Sequence, residues 1–261
     1  MAATSDHEAL ATTTTTTTDN ALAPAAAVDF ALLLGALKRT PRTGWVRSGI
    51  PATVAESISD HSHRLSTLAL VAAFSGGLGG GEGGGAGNAS SSSRPLDVSR
   101  CVRMAVVHDI AEALVGDITP HCGVSEEEKH RREAAAMERI AALLSGRGGG
   151  GGGGEGGGGE APLSAAARDV RDLWREYEAG ETLESKLVKD LDRLEMLVQA
   201  LEYEQQGAVV GGSGDDGWPL QSFFDGCRGK WRTQLGEAWA AEIERRRAGG
   251  AGGGGGGAAG R

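Results

Sequence analysis

The chain has 261 residues, and 44 of them are glycines gathered mostly in a few low-complexity runs, so the remainder suffices for one domain with a sizeable core. The formal net charge is −9, and only 4% of the residues are aromatic. An acidic chain whose longest basic block is residues 245–247 is poorly suited to a nucleic-acid polymer, which requires a basic face. No apolar run approaches the ~20 residues of a membrane span.

The two ends of the chain have the composition of disordered tails. Residues 1–27 are rich in Thr and Ala without a hydrophobic period, and residues 248–261 are rich in Gly. Between them we predict a single domain over residues 28–247, with flexible Gly- and Ser-rich insertions at about 75–95, 146–161 and 207–217.

The probable compartment follows from the cysteines and the N-terminus. Three cysteines without CxxC spacing indicate a reducing environment. The N-terminus has neither a secretory pattern nor an Arg-rich transit pattern, so we predict a cytoplasmic protein. Its abundance of Thr and Ala leaves a plastid address open, and a nuclear location also stays open.

The domain is predicted to be all-α, because apolar residues recur at helical spacing and no segment shows the alternation of a strand. Asp29 is the predicted N-cap of a first helix that ends at Thr40, and residues 41–47 are predicted to form a loop. Later helices are predicted over residues 57–74, from Asp97 or Ser99 to about 116, from 125 to about 144, over 163–179, over 182–206, and in an aromatic-rich region before residue 247.

Three of these helices carry polar side chains where apolar ones are expected. His61 lies in the apolar stripe of the second helix, and His108, Asp109 and Glu112 follow directly on the stripe of the third. Asp190 and Asp192 lie on opposite flanks of the stripe in the sixth, and periodicity alone does not choose between them. A lone buried His is more often a core residue than a ligand, but a second His-bearing helix favours a shared site.

Two imidazoles and two carboxylates suit a divalent ion such as Mn²⁺, Co²⁺ or Mg²⁺, and a metal ion is the simplest partner for such a group in an apolar setting. Such an ion can activate a water and neutralise phosphoryl charge. Glu112, one turn beyond His108, is placed to act as a general base. Asp117, in the following loop, can assist or accept a bond from a sugar hydroxyl.

The ordered set of His, His-Asp and Asp on separate helices resembles the HD-domain metal-dependent phosphohydrolases, and within them the 5′-deoxynucleotidases. The resemblance rests on residues 37–46, 56–61, 107–112, 115–118, 127–133 and 189–192. It implies a single helical HD domain whose metal ligands are His61, His108, Asp109 and Asp192, which selects Asp192 over Asp190.

The resemblance also implies the remaining roles. Glu112 and Asp117 correspond to catalytic acids, Arg42 would pair with the substrate phosphate, and Trp45 would pack near the nucleoside. Residue type alone leaves open the alternative that Trp45 is tucked over the core. The implied substrate is a deoxyribonucleoside 5′-monophosphate, and the family's usual homodimer is the implied assembly.

Two rival functions remain from the sequence. One is a different HD phosphohydrolase, acting on a cyclic nucleotide, a triphosphate or an alarmone. A modest set of cations near the site, Arg42 with Arg39 or Arg64, favours one phosphate over three. The other is a non-catalytic nucleotide sensor that keeps the metal to stabilise its fold, and the spare acid at Glu112 argues against it.

Overall fold

The computed structural model describes residues 22–75, 95–147, 163–209 and 219–250. Over these residues the chain forms helices and no strand, which confirms the predicted all-α class; one isolated bridge pairs Pro41 with Ser57. A single 3₁₀ turn covers Pro120–Cys122. The helices are α1 Pro24–Leu34, α2 Thr43–Arg47, α3 Ile58–Ala72, α4 Val98–Val107, α5 Glu112–Val115, α6 Glu126–Leu144, α7 Ala165–Ala179, α8 Leu183–Gln206, α9 Gln221–Cys227 and α10 Gln234–Gly250.

The longest helix, α8, lies at the centre of the bundle and contacts α3, α4, α7 and α10. Its predicted stripe is the reason, because Leu187, Leu191 and Leu194 are almost completely buried. Each such side chain contributes roughly 1.5–3 kcal/mol when it leaves water. A helix packed on several sides can hold polar groups partly away from solvent, and α8 places Asp192, half-buried, in the wall of a pocket.

Side-chain caps set the starts of the long helices. Ser57, Asp97, Ser125, Ser164 and Thr182 each accept a hydrogen bond from the backbone N–H three residues on. The caps at Ser57, Asp97 and Ser125 lie where the sequence predicts helix starts. At Ser57 the Asp60 side chain also binds back to the cap, which completes a capping box.

The N-terminal part of the domain differs from the prediction. The first helix begins at Pro24, with Ala23 as its N-cap, so Asp29 is an interior residue and not a cap. Proline favours the first helical position because its missing N–H has no partner there in any case. The segment predicted as a loop over residues 41–47 contains the short helix α2.

The third predicted helix is not continuous to residue 116. It ends as α4 at Val107, and the chain restarts as α5 at Glu112. The C-terminal helix α10 extends to Gly250, three residues beyond the predicted domain boundary. The predicted tails and Gly-rich insertions lie almost entirely outside the described residues. Among the described helices, none combines the length and apolar character needed to cross a bilayer.

Candidate metal centre

The two predicted histidine ligands meet in the buried centre of the bundle. His61 comes from α3 and His108 follows the end of α4, and their Nε2 atoms lie 3.2 Å apart. His61 Nδ1 lies 2.5 Å from Glu195 Oε2, and His108 Nδ1 lies 2.8 Å from the Ala105 carbonyl oxygen. Because a carboxylate and a carbonyl only accept, both Nδ1 atoms carry a proton, and the two Nε2 atoms are left facing one point. A metal ion at that point would bind both Nε2 atoms.

Two aspartates complete the cluster. Asp192 Oδ1 lies 3.2 Å from His61 Nε2, and Asp109 Oδ2 lies 3.0 Å from His108 Nε2 and 3.7 Å from His61 Nε2. Neighbouring ligands on one ion, each about 2.1 Å from it, lie about 3 Å apart. The donor set and its spacing therefore fit one divalent cation.

The electrostatics of the cluster also favour a cation. Burial opposes ionisation of Asp109 and Asp192, but the adjacent His108 and His61 hold the pKa of these carboxyls below the usual range. Burial and Arg42 act to lower the pKa of His61, yet hydrogen bonds to Asp192 and Glu195 raise it to about 9. A divalent ion would replace the second imidazole proton, since protons and metals compete for the same lone pair.

Asp190, the alternative to Asp192, has a different task. Its carboxylate accepts hydrogen bonds from the backbone N–H groups of Arg232 and Thr233, at 2.9 and 2.8 Å, and from the Thr233 hydroxyl. These groups directly precede α10, so Asp190 caps that helix from α8. A Cβ atom added at Gly236 would lie 2.5 Å from Asp190 Oδ2, which shows how closely α10 approaches.

A tight turn joins α4 to α5 and carries the His-Asp pair. The backbone N–H of Ile110 binds the Val107 carbonyl, and that of Glu112 binds the Asp109 carbonyl, so hydrogen bonds run between residues three apart. This is the 3₁₀ pattern, in which side chains three positions apart eclipse each other. Asp109 and Glu112 therefore point to the same side of the chain more nearly than in the predicted α-helix.

The two predicted catalytic acids line the same pocket as the cluster. Glu112 is buried, and burial together with the charges of Asp109 and Asp117 raises its pKa well above the usual value. Asp117 is already engaged, because its Oδ2 accepts a 2.5 Å hydrogen bond from the backbone N–H of Thr43. The Thr43 hydroxyl also donates to the Asp117 carbonyl at 3.0 Å. Asp117 thus fixes the N-terminus of α2 beside the pocket.

Arg42 and Trp45, the predicted substrate residues, occupy different environments. Arg42 Nη1 lies 3.6 Å from Asp109 Oδ2, so its guanidinium faces the cluster. Trp45 is 1% exposed, and its indole N–H donates to Glu56 Oε1 at 2.8 Å. Trp45 forms part of the pocket lining but packs in the core, which agrees with the alternative prediction that it is tucked over the core. The ring of Phe223 lies 4.4 Å from it and offers the more open aromatic surface.

The pocket has a volume of about 710 Å³, and its wall contains more cations than the sequence argument assumed. Arg39 and Arg64 do not line it, whereas Arg47, Lys129 and Lys189 do, together with His121 and His130. Arg64 instead binds Gln199 and Glu202 at 2.9 and 3.0 Å. The predicted placement of Arg39 or Arg64 beside Arg42 is therefore wrong, and the number of cations alone does not separate a monophosphate substrate from a triphosphate.

Comparison with known proteins identifies the family of this chain. A family model described as HD domain matches residues 86–211. The 5′-deoxynucleotidase HDDC2 of Dictyostelium discoideum is 34% identical over 217 residues, which is 83% of this chain and 96% of that protein. The chain belongs to the HD-domain family. This chain is also 37% identical over 187 residues to the 5′-deoxynucleotidase hdd1 of Schizosaccharomyces pombe. The match covers 72% of this chain and 77% of the yeast protein.

A solved structure shares the fold. A conserved hypothetical protein from Pyrococcus furiosus superposes with a TM-score of 0.56 at 26% identity, over 85% of this chain and 99% of its own. The resemblance inferred from the sequence motifs is confirmed by these matches. The HD-domain model begins after His61, so the first His-bearing helix is covered by the relatives and not by the family model.

Several residues of the site escaped the sequence argument. Glu195 on α8 binds His61, and Tyr177 on α7 donates its hydroxyl to Asp192 Oδ2 at 2.7 Å. Lys189 and Phe223 complete the pocket wall. The sequence did contain an indication of Glu195: it lies three residues after Asp192, and residues at that spacing lie on the same face of a helix. Tyr177 and Phe223 read as ordinary core aromatics, since tertiary contacts alone give them their roles.

Proposed function

We propose that this HD-domain protein is a metal-dependent 5′-deoxynucleotidase, which hydrolyses deoxyribonucleoside 5′-monophosphates to a deoxynucleoside and phosphate. The observation that carries the proposal is the close approach of two imidazoles and Asp192, whose ligand atoms all lie within 4.8 Å of one another. Asp109 lies beside both imidazoles, and the adjoining pocket also contains a spare buried acid. The relatives named 5′-deoxynucleotidases supply the substrate class.

The proposed ligands are His61 and His108, through Nε2, and one carboxylate oxygen each from Asp109 and Asp192. Their spacing of 3.0 to 3.7 Å across His61, His108 and Asp109 supports this assignment. A bound divalent ion supplies Lewis-acid chemistry, which polarises a phosphoryl oxygen and acidifies a water. Tyr177 limits Asp192 to one orientation, because its hydroxyl binds the second carboxylate oxygen.

Glu112 is the proposed general base. A carboxyl whose pKa is raised by burial is better matched to proton transfer near neutral pH than an exposed one. In the proposed reaction the water oxygen bonds to phosphorus while the bond from phosphorus to O5′ breaks. Glu112 accepts a proton from the water and returns it to O5′, so the products are a neutral alcohol and phosphate.

Arg42 is the proposed phosphate ligand, and the loop around it is built to hold it. Its backbone N–H donates to the Glu56 carbonyl at 2.9 Å, and its Nε lies 3.8 Å from Glu56 Oε1. Burial disfavours the charged form, but Asp109 and Asp192 outweigh it and keep the pKa of Arg42 above its usual value. Asp117 would act mainly by holding α2, and with it Arg42, in place.

The proposal extends to the native ion, the assembly and the cellular location. Mn²⁺, Co²⁺ and Mg²⁺ all suit the mixed nitrogen and oxygen donors, and we propose one of them as the native ion. We also propose a homodimer and a cytoplasmic location, as the sequence predicts. Trp45 would act beneath the nucleoside by supporting Phe223, in place of contacting the base directly.

The decisive experiment measures phosphate release from a panel of ribonucleoside and deoxyribonucleoside monophosphates, with triphosphates and a cyclic nucleotide as rivals. The purified protein is first treated with a chelator and then given Mn²⁺, Co²⁺ or Mg²⁺ separately. We expect turnover only with added metal, and preference for deoxyribonucleoside 5′-monophosphates. The matched control is Asp190→Asn, which alters an acid two positions from Asp192 but outside the cluster. Full activity of Asp109→Ala would refute the proposed metal site.

A further inference from the structure

Lys189 is a cation in the pocket wall to which the proposed reaction assigns no role. It lies on α8, one turn before Asp192, and lines the same pocket as the metal cluster. Its ammonium nitrogen lies 3.9 Å from the centre of the Tyr177 ring. Tyr177 in turn binds Asp192, so Lys189 is separated from the cluster by one side chain.

Among the described residues, the ammonium group of Lys189 has no carboxylate partner. In the described part of the chain, no carboxylate oxygen lies within salt-bridge distance of it, and its one recorded contact is with the Tyr177 ring. Burial lowers the pKa of Lys189, and the attraction of Glu178 and Asp192 does not offset this. Lys129 in the same pocket is different, because Glu133 lies 3.7 Å away and its pKa is raised. A partly buried cation without an anion costs free energy unless a ligand supplies one.

The side chain is also confined along its length. A Cβ atom added at Gly180 would lie 3.1 Å from Lys189 Cε, so the stem passes directly over this glycine. Gly180, which directly follows the end of α7, adopts a positive φ of 63°, the left-handed conformation common just after a helix. The Tyr177 ring borders the ammonium end, and its hydroxyl bond to Asp192 fixes that ring. The stem thus runs between two fixed neighbours and ends at the pocket.

We propose that Lys189 binds the phosphate of the substrate beside the metal centre, as a second cation in addition to Arg42. The inference rests on the proposed function, because the anion it requires is the phosphate of a nucleotide. A lysine ammonium suits this task as a point charge with three donors. The cation–π contact with the Tyr177 ring is a weak interaction and only partly compensates a poorly solvated charge.

The test compares binding of inorganic phosphate by the wild-type protein and by Lys189→Met, both loaded with Mn²⁺. Methionine keeps the unbranched stem over Gly180 and removes the charge. We expect phosphate affinity, measured by calorimetry, to fall about tenfold to a hundredfold, because one charge-assisted bond is lost. Mn²⁺ affinity should be unchanged. The control is Lys186→Met, one turn earlier on α8 and outside the pocket, which should bind phosphate as the wild type does.

The phosphate and Mn²⁺ affinities of Lys189→Met together show whether Lys189 binds phosphate. Unchanged phosphate affinity in Lys189→Met overturns it, and so does a parallel loss of Mn²⁺ affinity, which would make Lys189 a support of the metal ligands. A loss of phosphate affinity with intact Mn²⁺ binding supports it. Because this binding is measured without turnover, it is separate from the proposed function. If the wild type binds phosphate through Lys189 yet hydrolyses no deoxynucleotide, the proposed reaction fails and the phosphate site stands.

Discussion

Glu195→Gln is the variant that best tests how the metal ligands are held. Glu195 is fully buried, and its Oε2 accepts the Nδ1 proton of His61 at 2.5 Å. Glutamine keeps the volume but loses the charge that makes His61 a stronger electron donor. If the amide presents its NH₂ group, His61 must move its proton to Nε2, where the metal is expected. Loss of such a partner typically weakens metal binding 10- to 100-fold, which is about 1.4–2.7 kcal/mol.

The assay is calorimetric titration of Mn²⁺ into chelator-treated protein, with nitrogen NMR of the histidine rings as a report on the tautomer. The control is Glu202→Gln. Glu202 binds Arg64 Nη2 at 3.0 Å, and Arg64 Nη1 lies 3.5 Å from Glu195 Oε1, so Glu202 lies at the outer end of the same chain of charges. We expect the control to bind Mn²⁺ almost normally. Wild-type Mn²⁺ affinity in a folded Glu195→Gln protein would refute the argument.

Three further predictions concern the catalytic acid, the helix contact and the ion. Glu112→Gln should bind Mn²⁺ normally but lose about 10²–10⁴-fold in kcat, and joint loss of metal and rate would give Glu112 a structural role. Gly236→Ala should lower the free energy of unfolding in urea by about 1–3 kcal/mol, because its Cβ would meet Asp190 at 2.5 Å. Gly226→Ala, which has open space, is its control and should have a much smaller effect. Chelation should lower the Tm, and an unchanged Tm after verified metal removal would contradict a buried structural contribution of the ion.

The long helices could be predicted because their burial follows the helical period. In α8 every third or fourth side chain is apolar and buried, and Thr182 caps the start. The start of α3 near Ser57 and its apolar stripe were equally predictable. These signals are local in sequence, and the tertiary structure agrees with them.

The failures have a common physical cause, since each depends on contacts distant in sequence. The five-residue helix α2 is too short to show a period, and the Thr43 N–H at its start is bound by Asp117, 74 residues away. The break between α4 and α5 falls at the His-Asp pair, in a stretch without the Gly or Pro that commonly ends a helix. Asp29 resembled a cap by residue type, but Pro24 had already started the helix.

The candidate ligands were more predictable than the groups that orient them. His61, His108 and Asp192 are polar residues in or beside apolar stripes, and such residues need a partner if they are buried. Glu195 gains its role only when α8 packs against α3, and Tyr177 and Lys189 gain theirs only when α7 packs against α8. Sequence pattern alone therefore identifies the candidate cluster, whereas the supporting shell requires the tertiary structure.

The break after α4 explains why the two histidines are held so differently. Carbonyls in the last turn of a helix lack intrahelical partners, and the Ala105 carbonyl in that turn accepts the Nδ1 proton of His108. His61 lies within α3, where nearby carbonyls accept bonds from the next turn, so a side chain must orient it, and Glu195 does so. A break at the His-Asp pair thus orients one ligand with backbone alone and turns Asp109 and Glu112 to the same side. The other ligand depends on a replaceable carboxylate, which is why Glu195 is the sensitive point of the proposed site.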